Sequence, residues 1–175
     1  MQKLAYCIFD TALGACGIGW TSERSVTHFQ LPEATIERTA SRVARLTAAT
    51  SPSAAPPEVA DVIDRVRAHL SGEPQDFDLV PVELNGVSDF ERQVYRVTRE
   101  IAAGRTMTYG EIARAVNHSG AARVVGQALG RNPIPLIIPC HRVLAAGGKS
   151  GGFSAPGGRA TKAKLLALEG VLLPF

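Results

Sequence analysis

A thiol and an imidazole stand side by side in the run Pro139-Cys140-His141-Arg142, and that pair of side chains is equipped for nucleophilic chemistry. A thiolate is the nucleophile, a free thiol titrates near ~8.5, and a neighbouring histidine or cation is the usual way to hold the anion at neutral pH. Pro139 fixes its own φ and biases Ile138 to an extended shape. The apolar stretch Pro135-Leu136-Ile137-Ile138 therefore reads as a strand that Cys140 leaves at a defined angle. Adjacency alone also suits a structural cysteine, since free cysteine is among the most buried residue types. The rest of the C-terminal half decides between the two.

The elements that must position Cys140 are legible in outline. Residues 3–10 and 14–21 read as strands of a hairpin turning near Thr11 to Gly14, with a third strand around Ser25 to Leu31. Ile36, Ala40, Val43 and Leu46 recur at helical spacing, as do Val59, Val62, Ile63, Val66 and Leu70, with Gly72 ending the second helix. Phe77 to Leu84 alternates like a strand or extended linker, and the Asn85-Gly86 turn marks a boundary between residues 1–85 and 86–175. Beyond it Ser88 and Glu91 form a capping box for a helix that carries Phe90, Val94, Val97 and Ile101 inward and stops at Gly104. Thr108 and Glu111 repeat the box and open a short helix through Val116. Asn117 to Gly120 turn, and a second short helix runs from Ala121 to about Leu129, which is helix-turn-helix spacing. Ala121, Ala122, Gly126 and Ala128 make a face small enough to lie close to a groove wall while Arg123 alone projects as a long cation.

Composition and charge bound the function classes. The 175 residues are 45% hydrophobic and 20% charged, an ordinary globular balance without repeat or disorder signals. The net charge of +3 conceals an asymmetry: residues 1–85 carry 7 Lys/Arg against 11 Asp/Glu, and residues 86–175 carry 12 against 5. A basic half suits a polyanion, although solvated charge alone also accounts for it. Three cysteines, at 7, 16 and 140, do not make a disulfide framework and fit a reducing cytoplasm. Leu13-Gly14-Ala15-Cys16 has the look of a lipoprotein cleavage site, but Asp10 interrupts a stretch that is too short, so secretion is not expected. No run approaches the ~18 apolar residues of a membrane span.

Taken in order, Thr108-Tyr109, Ala122-Arg123, Asn132-Pro133-Ile134-Pro135, Pro139-Cys140-His141-Arg142-Val143, a glycine-rich loop and Leu165-Leu166-Ala167-Leu168-Glu169-Gly170 resemble the O6-alkylguanine-DNA alkyltransferases. The likeness is dense over residues 88–173 and only general before them. It implies an α/β, ribonuclease-like N-terminal domain with a small antiparallel sheet, followed by a mostly α, winged-helix-like domain that binds DNA and accepts the alkyl group. The implied activity is repair: an alkyl group moves from O6 of guanine, with O4 of thymine as a related lesion, irreversibly to Cys140 after the base is flipped out of the duplex. No cofactor is consumed, and the expected partner is alkylated double-stranded DNA held through the minor groove by a monomer.

By the same resemblance Cys140 is the nucleophile, His141 its base acting through a water, Glu169 the carboxylate orienting His141, and Asn132 a brace for the turn, a triad logic built on a thiol. Tyr109 would crowd the phosphate 3′ to the target and Arg123 would fill the vacated space. Thr108, Ala121, Ala122 and Gly126 complete the DNA-facing set. Pro135, Phe153 and Ser154 would wall the substrate pocket, and the carbonyls of Cys140 and Val143 would accept hydrogen bonds from guanine. Arg142 is expected to brace structure. Two departures stand out: Phe153 occupies the place where the family usually has tyrosine, and the segment Gly151 to Gly158 is longer than the family pattern. Tyr95, where the family commonly has tryptophan, reads as a repacked core. Cys7, Cys16 and His28 evoke the structural zinc of some members, with Cys7 and Cys16 as a cross-strand pair, but a closed site needs four ligands and a fourth is lacking. The alternative function is a sensor of alkylated DNA without transfer, a class that lacks the reactive cysteine.

Overall fold

The computed structural model describes residues 2–174. Strands β1 (Leu4–Thr11), β2 (Gly14–Thr21) and β3 (Val26–Gln30) form an antiparallel sheet in that order. β1 and β2 pair from Leu4 opposite Thr21 to Thr11 opposite Gly14, where the Thr11 hydroxyl donates to the Gly14 carbonyl at 2.7 Å. The register places Cys7 opposite Ile18 and Cys16 opposite Phe9, so the two cysteines share a face without being partners. Both are free, and no cluster of three or more metal-ligating side chains occurs among the described residues.

The two faces of the sheet are covered differently. Cys16, Ile18 and Trp20 point toward the main core with Val59, Val62, Ile63, Val66 and Leu70 of helix α2 (Pro57–Leu70), the stripe its spacing foretold. On the opposite face helix α1 (Ile36–Thr47) lies directly on β2. A Cβ at Gly17 would collide with the Val43 side chain, and one at Gly19 would come within 2.6 Å of Thr47 Cγ2. This close seat corrects the inward face read from the apolar spacing. The buried positions are Thr39, Val43 and Thr47, whereas Ile36 is 51% exposed and Leu46 38%. Compact threonines fit over glycine, and their hydroxyls donate one turn back, Thr39 to the Thr35 carbonyl at 3.3 Å and Thr47 to that of Val43 at 2.9 Å.

After α2 the chain turns at residues 78–80, so of the stretch read as extended only the part around Val82 lies along β3, with the Val26 amide donating to Pro81 at 2.8 Å and that of Glu83 to Val26 at 2.9 Å. Helix α3 (Asp89–Arg99) starts at the Ser88/Glu91 box, both halves of which are made. It ends at Arg99, earlier than the spacing suggested, and Ile101 reaches the core from the following turn. Tyr95 is buried and its hydroxyl donates to the Ala128 carbonyl at 2.6 Å, fixing α3 against helix α5 (Ala122–Gly130). Strand β4 (Met107–Thr108) leads into α4 (Tyr109–Ala115), whose Thr108/Glu111 box is also complete. Asn117 and Gly120 take positive φ (60° and 84°) in the turn, and α5 (Ala122–Gly130) follows, so the helix-turn-helix stands where it was read. The chain closes with β5 (Val143–Leu144), parallel to β4, and α6 (Gly158–Leu168).

The run before Cys140 differs most from its sequence reading. Residues 134–139 form a turn, not a strand, closed by Ile138 N–H donating to Ile134 at 2.8 Å, with Leu136 at φ +73°. Pro133, Pro135 and Pro139 lack the N–H groups a strand ladder needs, and the apolar side chains are hydrophobic because the turn itself is buried. Asn132 staples it: its Nδ2 donates to Ile138 at 2.8 Å and its Oδ1 accepts from Ile134 at 2.9 Å. Pro139 keeps φ at −80° and launches a single 3-10 turn, Cys140–Arg142.

Candidate active site

The 3-10 turn sets Cys140 at the floor of two openings. One, about 440 Å³, is walled by Tyr109, Gly126, Leu129, Gly152, Phe153 and Ser154, so it opens beside the helix-turn-helix. The other, about 410 Å³, runs past Pro135 and Asn132 toward Gln30 and Arg42 of the N-terminal half. Each is of a size that holds a small-molecule group. Tyr109 packs on the glycine-rich loop: a Cβ at Gly151 would come within 2.8 Å of its ring, and Gly126 leaves room for the ring on the α5 side.

Behind the thiol lies a buried charge network. His141 is fully buried, and its Nε2 donates to Glu169 Oε1 at 2.8 Å. That bond fixes the proton on Nε2, so Nδ1, which has no protein partner, carries the free lone pair. Arg142 grips the same carboxylate with two bonds, Nε to Oε2 at 3.0 Å and Nη2 to Oε1 at 2.8 Å, and donates to the Ile101 carbonyl at 2.6 Å. It braces the turn and does not reach either opening beside Cys140. Burial alone would raise Glu169, but hydrogen bonds from His141, His69 and Arg142 hold its carboxyl well below the usual carboxylate range.

Two members of the site escaped the sequence reading. Lys162 is buried on α6, with Nζ donating to the Val143 carbonyl at 2.6 Å and to Gly152 at 3.3 Å. His69, in the last turn of α2, places Nε2 2.9 Å from Glu169 Oε1. A signal existed for both. Lys162 falls on the helical stripe of Leu165, Leu166 and Glu169, and His69 on that of Val62 and Val66, where a polar side chain must find a buried partner.

Burial pushes the Cys140 thiol above its ordinary value, against the opposing pull of Asn132, the Lys162 cation and the amides of the 3-10 turn. Burial also lowers Lys162 to about 8. The thiol therefore rests protonated and needs a base. Burial lowers His141 below 6.5 despite the upward pull of Glu169, which leaves it neutral and able to accept a proton at pH 7. A lowered value means that His141 becomes charged only in more acid solution. The acid-side midpoint of the rate at which Cys140 is alkylated is therefore expected to lie below pH 6.5, as a pH series of single-turnover rates would show.

The remaining expected residues sort by position. Arg123 is exposed on α5, with Ala121, Ala122 and Gly126 half-buried around it. Thr108 uses its hydroxyl as the N-cap of α4, accepting from Glu111 N–H at 3.1 Å. Pro135, Phe153 and Ser154 line the openings, whereas the Val143 side chain is buried in the core and its carbonyl is bound by Lys162.

Fold and site define a protein that carries an activatable cysteine at the foot of a helix-turn-helix. Residues 89–171 match the 6-O-methylguanine DNA methyltransferase family, DNA-binding domain. The methylated-DNA–protein-cysteine methyltransferase of Mycolicibacterium paratuberculosis is 44% identical over 114 residues, spanning 65% of this chain and 67% of that protein. This chain belongs to the methylated-DNA–protein-cysteine methyltransferase family. The namesake from Methanothermobacter thermautotrophicus is 40% identical, over 69% of this chain and 66% of its own length, so these sequence matches span about two thirds of the relatives. The crystal structure of Mycobacterium tuberculosis OGT in complex with DNA superposes with a TM-score of 0.74 at 33% identity, covering 94% of this chain and 92% of that one. The O6-methylguanine-DNA methyltransferase of Pyrococcus kodakaraensis gives 0.69 at 28% identity, covering 96% and 99%.

Proposed function

We propose that this protein repairs O6-alkylated guanine in duplex DNA by moving the alkyl group onto Cys140. The observation that carries this is the buried Cys140 thiol, open to the helix-turn-helix side and backed by the His141–Glu169 pair. The thiol proton passes through a water to His141 Nδ1, Sγ attacks the alkyl carbon in line, and the O6–C bond breaks as the S–C bond forms. The displaced guanine regains one proton, so the ledger closes without cofactor or oxidant. A thioether has no route back, and each chain acts once. The opening walled by Tyr109, Phe153 and Ser154 receives the flipped base, while Pro135 and Asn132 line the second opening that also reaches Cys140.

DNA lies against α5 through its minor groove, where the small face of Ala121, Ala122 and Gly126 permits close approach and Arg123 enters the space the base vacates. Tyr109 and Thr108 at the start of α4 face the phosphate 3′ to the target. The basic balance of residues 86–175, 12 Lys/Arg against 5 Asp/Glu, supports backbone binding. Residues 1–85 and 86–175 act as two domains of a cytoplasmic monomer. Among the described residues, no helix is long and apolar enough to cross a membrane.

The test is intact-mass and peptide mass spectrometry after mixing the protein with excess duplex containing one O6-methylguanine. One methyl on Cys140 is the expected result; a protein that binds the duplex yet stays unmodified over hours sinks the reading. Arg123→Ala is expected to slow repair of duplex DNA by about tenfold or more, the scale of a ~1–3 kcal/mol contact. Its reaction with free O6-benzylguanine should keep the parent rate.

A further inference from the structure

We infer that His69, from the N-terminal half, is a positioning residue of the transfer reaction, acting through Glu169 on His141. This rests on the proposed alkyl transfer. His69 is 1% exposed at the end of α2. Its two ring nitrogens are committed: Nδ1 accepts from the Gln75 backbone N–H at 2.9 Å, and Nε2 lies 2.9 Å from Glu169 Oε1. An amide N–H has only a proton to offer, so Nδ1 is the acceptor and Nε2 carries the hydrogen given to Glu169. The Phe77 ring, edge-on at 5.5 Å between centroids, holds the imidazole plane.

Glu169 Oε1 thus accepts from three donors, His69, His141 and Arg142, and Oε2 from Arg142 Nε. Two consequences follow for the base. The carboxylate is held from both sides, so Oε1 stays aimed at His141 Nε2 and keeps His141 Nδ1 as the free base. A third donor on Oε1 also draws charge from the oxygen that would otherwise pull harder on the His141 proton. His69 shares the carboxylate without itself being placed to take the Cys140 proton. The titratable and charged groups bonded in this cluster are Glu169 from the end of α6 and His141 and Arg142 from the 3-10 turn, and the neighbouring Cys140 thiol feels the Lys162 cation. An element of the N-terminal half thereby enters the reaction, which a separately acting DNA-binding half would not need.

The experiment compares the full-length protein with His69→Phe, which keeps a ring against Phe77 but no donor, and His69→Gln, which returns an N–H near Nε2. Single-turnover methyl transfer from an O6-methylguanine duplex is followed against pH. His69→Phe is expected to be slower by about 10- to 100-fold, the loss typical of a partner that orients an imidazole. Its acid limb should move to higher pH, because the freed oxygen holds the His141 proton more tightly. DNA affinity should be unchanged and His69→Gln should recover most of the rate. A folded His69→Phe with the parent rate and the parent acid limb overturns the inference, as does a slow His69→Phe whose limb has not moved and which Gln does not rescue. If His69→Phe fails to fold, nitrogen-detected NMR of the unmodified protein decides. A hydrogen-bonded proton on His69 Nε2 supports the arrangement, and one on Nδ1 refutes it. Should the parent protein transfer no methyl at all, the proposed function fails separately. Iodoacetamide labelling of Cys140 against pH then still reports whether His69 tunes His141.

Discussion

Cys140→Ala is expected to abolish methyl transfer, lowering it on the order of 10⁴-fold or more, while binding of the modified duplex is retained. The size of the effect follows from chemistry: the alkyl carbon needs a nucleophile in line behind the O6–C bond, and removing a covalent nucleophile leaves only what binding and orientation supply. Binding is expected to survive because the α5 surface proposed to face DNA, with Arg123, is built without the thiol, and because alanine fits where a buried sulfur atom was. Gel-shift affinity and mass spectrometry on the same samples separate the two. A variant that still acquires a methyl elsewhere would relocate the acceptor, and one that loses DNA affinity along with transfer would show that the thiol region holds the base.

The second large effect is expected at Glu169. Its carboxylate is inaccessible to solvent and is, among the described residues, the one negative charge paired with His69, His141 and Arg142. Glu169→Ala would strand the Arg142 guanidinium in the interior, and breaking a buried pair in this way costs about 3–5 kcal/mol. Against a usual stability of about 5–15 kcal/mol that is a large fraction, visible in urea unfolding at pH 7. The pH dependence has a definite sign. Glu169 titrates lower when folded than the ~4.3 of an unfolded glutamate, so its contribution is complete above ~4.3 and is lost as the pH falls toward its folded value. The parent protein should therefore lose more stability between pH 5 and pH 3 than Glu169→Gln does. Transfer should also slow by on the order of 100-fold or more, because His141 loses the group that fixes its tautomer and stabilises its charged form. Parent-like unfolding of Glu169→Ala would mean that Arg142 is satisfied elsewhere.

Much of this was legible along the chain because it depends on local rules. The two capping boxes at Ser88 and Thr108 needed only a residue and its third neighbour, and both helices begin there. The hairpin around Thr11 to Gly14, the α2 stripe and the helix-turn-helix are likewise short-range patterns. Local rules failed where a partner distant in sequence set the outcome. Helix α1 turns Thr39 and Thr47 inward because Gly17 and Gly19 lower the surface of β2, a fact about two segments together. The stretch before Cys140 is apolar because a turn is buried, and apolarity by itself does not distinguish a buried turn from a buried strand.

The same division runs through the site. Sequence by itself determined the chemistry on offer: the Cys140-His141 pair, the amide of Asn132 one turn upstream, the carboxylate of Glu169 and the lone cation Arg123 on a small-residue helix, all carried by residue type, spacing and family pattern. Tertiary structure alone decided how that chemistry is tuned. It brought His69 to Glu169 across 100 residues of chain and Lys162 to the Val143 carbonyl, and it spent Arg142 on the carboxylate. The physical reason is that hydrogen bonds inside a low-dielectric core are set by where helix ends meet after folding. A histidine or lysine on an apolar stripe announces that it must find a buried partner, but only the packing of α2 against α6 and of α6 against the 3-10 turn says which one.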